Sequence, residues 1–308
     1  MSGQELVLQP DLPVIIRATD AQTDGELVAL WIGLQQSPHT RRNFQSTAAT
    51  FLEALNRPLH GATLEAIQSA LVAMCDGLSI STRRQYVLRV KSLLSFAVRV
   101  RYLPMDVGAA IRAPTAPDNL AARILPEDDI DQLMGSCETA RDGLMLALTY
   151  AAGLRVSELV GLSVVDVIMR SDESLQLSVL GKGGKRRQTV LPRALTRHVL
   201  AMCAGRPPDA PLFLSRKGQR LSSSAAYRRT KQLVAKAGIN NATSPHWLRH
   251  AHASHAMDHG AGVHEVQTTL GHENLATTSR YVRARPNVCT GDRLKADIWQ
   301  RLGRPAGG

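Results

Sequence analysis

No apolar run in this chain is long enough to cross a membrane. The longest, Leu144 to Leu154, is interrupted and far short of the ~20 residues a spanning helix needs. The opening MSGQELVLQPDLPVIIRATD carries acids and prolines where a signal peptide would place a basic start and an apolar block. These two absences lead us to expect a cytoplasmic protein with no membrane partner. Four cysteines, Cys75, Cys137, Cys203 and Cys289, lie far apart with no C-x-x-C pair, so neither a zinc ribbon nor a disulfide framework is signalled. No G-x-x-x-x-G-K-[ST] occurs either, and the glycines of GKGG are therefore not an ATP loop. Internal repeats and low-complexity tracts are also missing.

What the chain has is positive charge. Lys and Arg number 37 against 26 Asp and Glu, a formal net charge of +11. Release of condensed counterions rewards contact between such a surface and phosphates, so a polyanionic partner is expected. Basicity alone does not separate DNA from RNA or from anionic lipid. The remaining composition, 44% hydrophobic and 20% charged, is that of an ordinary globular protein, and 308 residues suffice for two domains.

The first 113 residues read as helical, with the first 20 or so expected to be flexible. SPHTRRNFQSTAATFLEAL opens with Ser37 as N-cap and Pro38 at the first helical position, and Phe44, Ala48, Phe51 and Leu55 then share one stripe. STRRQYVLRVKSLLSFAVRVRYL sets a core face around Tyr86, Val90, Leu93, Leu94 and Ala97 against a row of basic residues. Arg41, Arg42, Arg83, Arg84, Arg89 and Lys91 on these two helices are candidate DNA contacts, although a solvated face would look the same. Prolines then break the pattern, and we place a linker at 114–124. The second domain, 125–308, begins helical, with one helix stopped by Gly153. A stretch from Val164 to Pro192 alternates in short runs, with Leu175, Leu177 and Val179 on one face and turns at RSDES and GKGG. The predicted fold class is mainly α with a small antiparallel β-sheet, helices returning from SSSAAYRRTKQLVAKAGI to the end.

Five histidines and one arginine crowd into SPHWLRHAHASHAMDHG, residues 244–260. Ser244 can cap a helix with Pro245 in its first turn, which places His246 and Arg249 on one face near a helix N-terminus, where anions are favoured. We read a phosphate pocket there. A metal site is the weaker reading: His255 and His259 are spaced i, i+4, but the Glu of H-E-x-x-H is missing and no further ligands are evident. Packing or exposure accounts for His250, His252, His255 and His259.

Three more stretches sharpen this. AAGLRVSELVGL places Arg155 just after a helix stop, LGKGGKRR places Lys182 in a β-turn, and LGHENLATTSRYV puts His272 after Gly271 and Tyr281 nine residues later. Taken in order and at these separations, R-x-S-E-L, G-K-G, H-x-x-R, L-G-H and the following Y resemble the tyrosine recombinases, the phage integrase family, most closely those of Xer type. The resemblance implies an N-terminal helical-bundle (SAM-like) core-binding domain and an α+β catalytic domain. It implies an active site of Arg155, Lys182, His246, Arg249, His272 and Tyr281, and no cofactor or metal. In it Tyr281 would attack a DNA phosphate, His246 would take the phenol proton, the two arginines would hold the non-bridging oxygens, and Lys182 would protonate the leaving 5′-oxygen. Lys185 is the alternative to Lys182, and Lys185, Arg228 and Arg229 join the candidate DNA contacts. Glu158 reads as a residue that orients an arginine or caps a helix. The implied partner is double-stranded DNA, bound by a homotetramer on two sites, with or without a second recombinase or accessory protein, and the tail RLKADIWQRLGRP would dock on a neighbouring protomer or within its own. Two other functions fit parts of this pattern: a type IB topoisomerase-like relaxing enzyme and a non-catalytic DNA-binding accessory protein.

Overall fold

A computed structural model describes residues 18–272 together with Thr278 and Tyr281, with the side chain of Lys182 excepted. The RLKADIWQRLGRP tail, Cys289 and the first 17 residues lie outside the described residues. The chain divides into two compact units, Met1–Pro117 and Asp118–Gly308. Among the described residues no helix is long and apolar enough to cross a membrane.

The first unit holds helices α1 (Asp24–Gly33), α2 (Pro38–Leu55), α3 (Leu64–Met74) and α4 (Ile80–Arg99). Thr23 starts α1 with a reciprocal cap: its hydroxyl accepts from the Glu26 N–H at 3.2 Å, and the Glu26 carboxylate accepts from the Thr23 N–H at 3.0 Å. Thr63 and Ser79 cap α3 and α4 through their hydroxyls. The expected stripe of α2 is turned inward at Ala48, Phe51 and Leu55, and Phe44 packs its ring 4.4 Å from that of Trp31. Val90, Leu93, Leu94 and Ala97 face them from α4. Each large side chain so buried contributes roughly 1.5–3 kcal/mol, which is what holds together helices of modest intrinsic stability.

The second unit runs α5 (Glu127–Gly135), α6 (Ala140–Ala151) and α7 (Val156–Gly161), then β1 (Val167–Met169), β2 (Leu175–Leu180) and β3 (Arg186–Val190). It ends with α8 (Thr196–Cys203), α9 (Ser223–Ala237), α10 (Pro245–Asp258) and α11 (Val263–Leu270). The three strands form one antiparallel sheet in the order β1-β2-β3, with Leu177 opposite both Val167 and Thr189. Leu175, Leu177 and Val179 are fully buried, so the alternation in β2 does define the core face. α10 packs along α6, and α11 reaches the β3 edge of the sheet.

Ser37 and Ser244 occupy the expected N-cap positions, with Pro38 and Pro245 following, yet neither side chain makes a cap hydrogen bond. At Ser244 the reason is local: its own backbone carbonyl already accepts the Trp247 N–H at 2.8 Å. The capping hydroxyl predicted there is replaced by main chain. Tyr227 is 45% exposed on α9.

Candidate active site

The site begins where α6 stops. Gly153 takes a left-handed conformation (φ +56°), and a Cβ there would lie 2.5 Å from Leu270 Cδ2 and 3.0 Å from His252 Cδ2. Only glycine fits both the turn and the close approach. Two residues on, Arg155 stands at the N-cap of α7, and its backbone N–H and its Nη1 both donate to Glu158, at 2.8 and 2.7 Å.

Glu158 is the charge around which the cations are arranged. Arg187, on β3, donates from Nη1 and Nη2 to its two carboxylate oxygens, each at 2.9 Å, and Arg249 Nη1 lies 3.7 Å away. Burial works to raise the Glu158 carboxyl, but the Arg187 and Arg155 bonds outweigh it and hold it below the usual range. One carboxylate thus stands among three guanidiniums, which leaves the cluster with excess positive charge. The role expected of Glu158, orienting an arginine, is what this geometry provides.

Arg249 is 1% exposed, the largest fully buried side chain among the described residues. Its Nη1 donates to the Gly153 carbonyl at the end of α6, and its Nη2 donates to the Leu270 carbonyl at the end of α11, at 2.7 Å. Burial first, then the neighbouring Arg155, lowers its pKa to about 10, which still leaves it charged at neutral pH. Arg187 ties the same corner to the sheet, its Nε donating to the Thr269 carbonyl at 2.8 Å.

The histidines complete the cluster. His246 reaches the surface at the start of α10, and loss of water together with Arg249, Arg155 and Arg123 presses its pKa below the ordinary value. His272, just past α11, is driven to about 4 by burial and then by Arg249, Arg155 and Arg187, so it is neutral at pH 7. Its Nδ1 pairs with Thr278 Oγ1 at 2.9 Å. With Nδ1 accepting from the threonine hydroxyl, the proton sits on Nε2, which then serves as a hydrogen-bond donor. Tyr281 is 4% exposed, packed with Leu120, Ala253, Val266 and Leu270. Its hydroxyl lies 2.8 Å from Nδ1 of His250, and Tyr281 is near enough to Arg249 to act on it electrostatically.

Five of the six expected side chains, Arg155, His246, Arg249, His272 and Tyr281, are therefore gathered by the ends of α6, α10 and α11. Lys182 opens the turn between β2 and β3, which is closed by the Gly181 N–H donating to the Lys185 carbonyl at 2.8 Å, and its side chain lies outside the described ones. Three participants were not singled out from the sequence. Arg187 and Thr278 had no visible signal, because their partners are distant in the chain; His250 had one, since it stands four residues after His246 on the same helical face.

The candidate DNA contacts have varied employment. Arg42, Lys185 and Arg228 are exposed. Arg41 donates to the Gln35 carbonyl, Arg83 to that of Leu78 and Arg84 to that of Pro114. Arg89 donates to Thr47 Oγ1 at 3.1 Å, and Lys91 donates to the carbonyls of Ala109 and Ile111. Arg229 is bound to Glu138 and to the fully buried Asp142, both at 2.8 Å. Elsewhere on α10, His255 Nδ1 pairs with the Tyr150 hydroxyl at 2.9 Å and His259 Nε2 approaches Glu127 at 3.4 Å. Among the described residues no group of three or more His, Cys, Asp or Glu side chains is placed to hold a metal ion.

A buried phenol beside clustered guanidiniums and imidazoles suits covalent attack on a phosphodiester, and this chain belongs to the phage integrase family, whose sequence profile matches residues 123–287. It is a tyrosine recombinase, a site-specific enzyme that cleaves and rejoins DNA. Among individual proteins it is similar to the tyrosine recombinase XerC of Rhodospirillum centenum, with 35% identity over 267 residues, 80% of this chain and 77% of that protein. Its fold is that of the XerH site-specific recombinase bound to a palindromic difH substrate, with TM-score 0.70 and 19% identity over 85% of this chain and 80% of that one. It is likewise that of a lambda integrase tetramer bound to a Holliday junction, with TM-score 0.67 and 17% identity over 82% of this chain and 78% of that one.

Proposed function

We propose that Arg155, Lys182, His246, Arg249, His272 and Tyr281 are the catalytic residues of this recombinase, with Tyr281 as the nucleophile. The observation that carries this reading is the burial of the Tyr281 hydroxyl, hydrogen-bonded within the cluster, next to a guanidinium that has no solvent of its own. Attack on a phosphodiester puts added charge on the non-bridging oxygens, and forked, charge-assisted hydrogen bonds from Arg155 and Arg249 stabilise it. His272, neutral at pH 7, and His246 contribute further donors.

The phenolate oxygen forms a bond to phosphorus while the bond to the 5′-oxygen breaks, and Lys182, in the β2–β3 turn, protonates that leaving oxygen. The product is a 3′-phosphotyrosyl link and a free 5′-hydroxyl. Because the link conserves the bond energy, a 5′-hydroxyl from the partner strand can reverse the reaction and rejoin the DNA without ATP. Two rounds pass through a Holliday junction, carried by four protomers on two DNA sites, in the cytoplasm. In this reading the unit before Asp118 is the core-binding domain, and its exposed Arg42, like Lys185 and Arg228 in the catalytic unit, meets the phosphate backbone.

Nicked suicide DNA provides the test, since a lost 5′ fragment traps the covalent adduct. The wild-type protein is expected to accumulate the adduct on its cognate core site, and Tyr281→Phe is expected to form none while keeping its DNA affinity. Adduct in Tyr281→Phe would remove the nucleophile from this reading. Relaxation of a plasmid without exchange between two sites would reassign the chemistry to a topoisomerase.

A further inference from the structure

We infer that His250 is the general base that takes the proton of the Tyr281 phenol, the part His246 was expected to play. The inference rests on the reading of Tyr281 as nucleophile. A phenol ordinarily keeps its proton at neutral pH, with a pKa of about 10, so attack requires an acceptor within hydrogen-bond reach. At 4% exposure, the Tyr281 side chain is closed to bulk water as that acceptor. Nδ1 of His250 is 2.8 Å from the hydroxyl, with the two rings tilted 48° and their centroids 5.7 Å apart.

His246 is placed for other work. It stands exposed in the first turn of α10, near Arg249, Arg155 and Arg123, and its ring meets His250 edge-on at 4.5 Å between centroids. The spacing of four residues puts both rings on one face, with His246 nearer the surface and His250 nearer the phenol. Around His250, His246 and Arg249 stand on its own helix and Tyr281 is in contact, while Arg155 and Arg123 act on the neighbouring His246 ring.

The transfer balances with groups already present. Neutral His250, with its proton on Nε2, accepts the Tyr281 proton at Nδ1 as the O–H bond breaks, and the freed oxygen pair forms the bond to phosphorus. The pair of the broken P–O5′ bond is protonated by Lys182 under the proposal above. On rejoining, the imidazolium returns its proton to the departing phenolate.

The test is single-turnover adduct formation on nicked suicide DNA by the full-length protein, with His250→Asn, His250→Ala and Tyr281→Phe. Asparagine offers an acceptor oxygen near the Nδ1 position and keeps the packing, but does not take up a proton. Both His250 variants are expected to lose about 10²- to 10³-fold in rate, the range of a general base, with DNA affinity in a shift assay unchanged. Added imidazole should restore part of the rate to His250→Ala. The loss should persist on a substrate with sulfur in place of the bridging 5′-oxygen, because that leaving group needs no acid. His250→Asn cleaving at the wild-type rate would overturn the inference, as would a defect that disappears on the sulfur substrate. If Tyr281→Phe still forms adduct, the nucleophile assignment and this inference fall together; if it forms none while both His250 variants run at full speed, only this inference falls.

Discussion

Glu158 and Arg249 illustrate how one residue holds the fold together and, under the proposed assignment, serves the chemistry. Glu158 holds Arg155 and Arg187 by hydrogen bonds and approaches Arg249, so the carboxylate that lets the cations gather also fixes their directions. His252 and His272 follow a different logic, because they are kept neutral at pH 7. His252 is lowered to about 4, first by burial, and His272 to about 4 for the same first reason; His246 is lowered as well. In the unfolded chain His252 and His272 would each take up a proton near pH 6.5, where in the folded protein they do not. Between those values the unfolded state binds more protons, so their contribution to stability is complete above about pH 6.5 and is lost as the pH falls towards 4. Thermal melts should therefore drop steadily over that interval. His252→Phe, which has nothing to protonate, should flatten the drop, by about 3 kcal/mol at most on the conversion of 1.36 kcal/mol per pKa unit.

At the level of elements, the turn at Gly153 decides whether the cluster assembles. It ends α6, offers the carbonyl that Arg249 donates to, and sends the chain into α7 with Arg155 at its start. Gly153→Ala would need a left-handed alanine and a Cβ 2.5 Å from Leu270 Cδ2. We expect a loss of about 1–3 kcal/mol in urea unfolding together with slower cleavage, since both arginines are displaced. The elements themselves were largely legible. Period-2 alternation marked β2, a proline at the first turn marked α2 and α10, and the glycine stop marked α6, because each depends on neighbours in sequence. The order of motifs likewise located five of the gathered side chains. The His250–Tyr281 contact and the Arg187–Glu158 pair were not legible: they join residues 31 and 29 positions apart, and only the packing of α10 and β3 against the rest brings them together.

For the whole molecule the question is how a charge of +11 is used. Arg228 and Arg229 are adjacent on α9 and look equivalent as text, yet Arg228 is exposed and Arg229 anchors the buried Asp142. Arg228→Gln should leave the melting temperature unchanged and reduce the slope of log K against log salt by about 0.9, the signature of one lost phosphate contact. Arg229→Gln should instead lower the melting temperature by several degrees, because a carboxylate at 0% exposure loses a partner. DNA titrations over a salt series and thermal melts on both variants separate the two. Arg249 carries the same lesson further. Since its guanidinium staples the last carbonyls of α6 and α11, a descendant of this protein that had given up cutting DNA would still unfold without it. Retention of that arginine across a lineage would consequently record selection for folding, and it is the pairing of position 250 with position 281 that would keep a history of the enzyme.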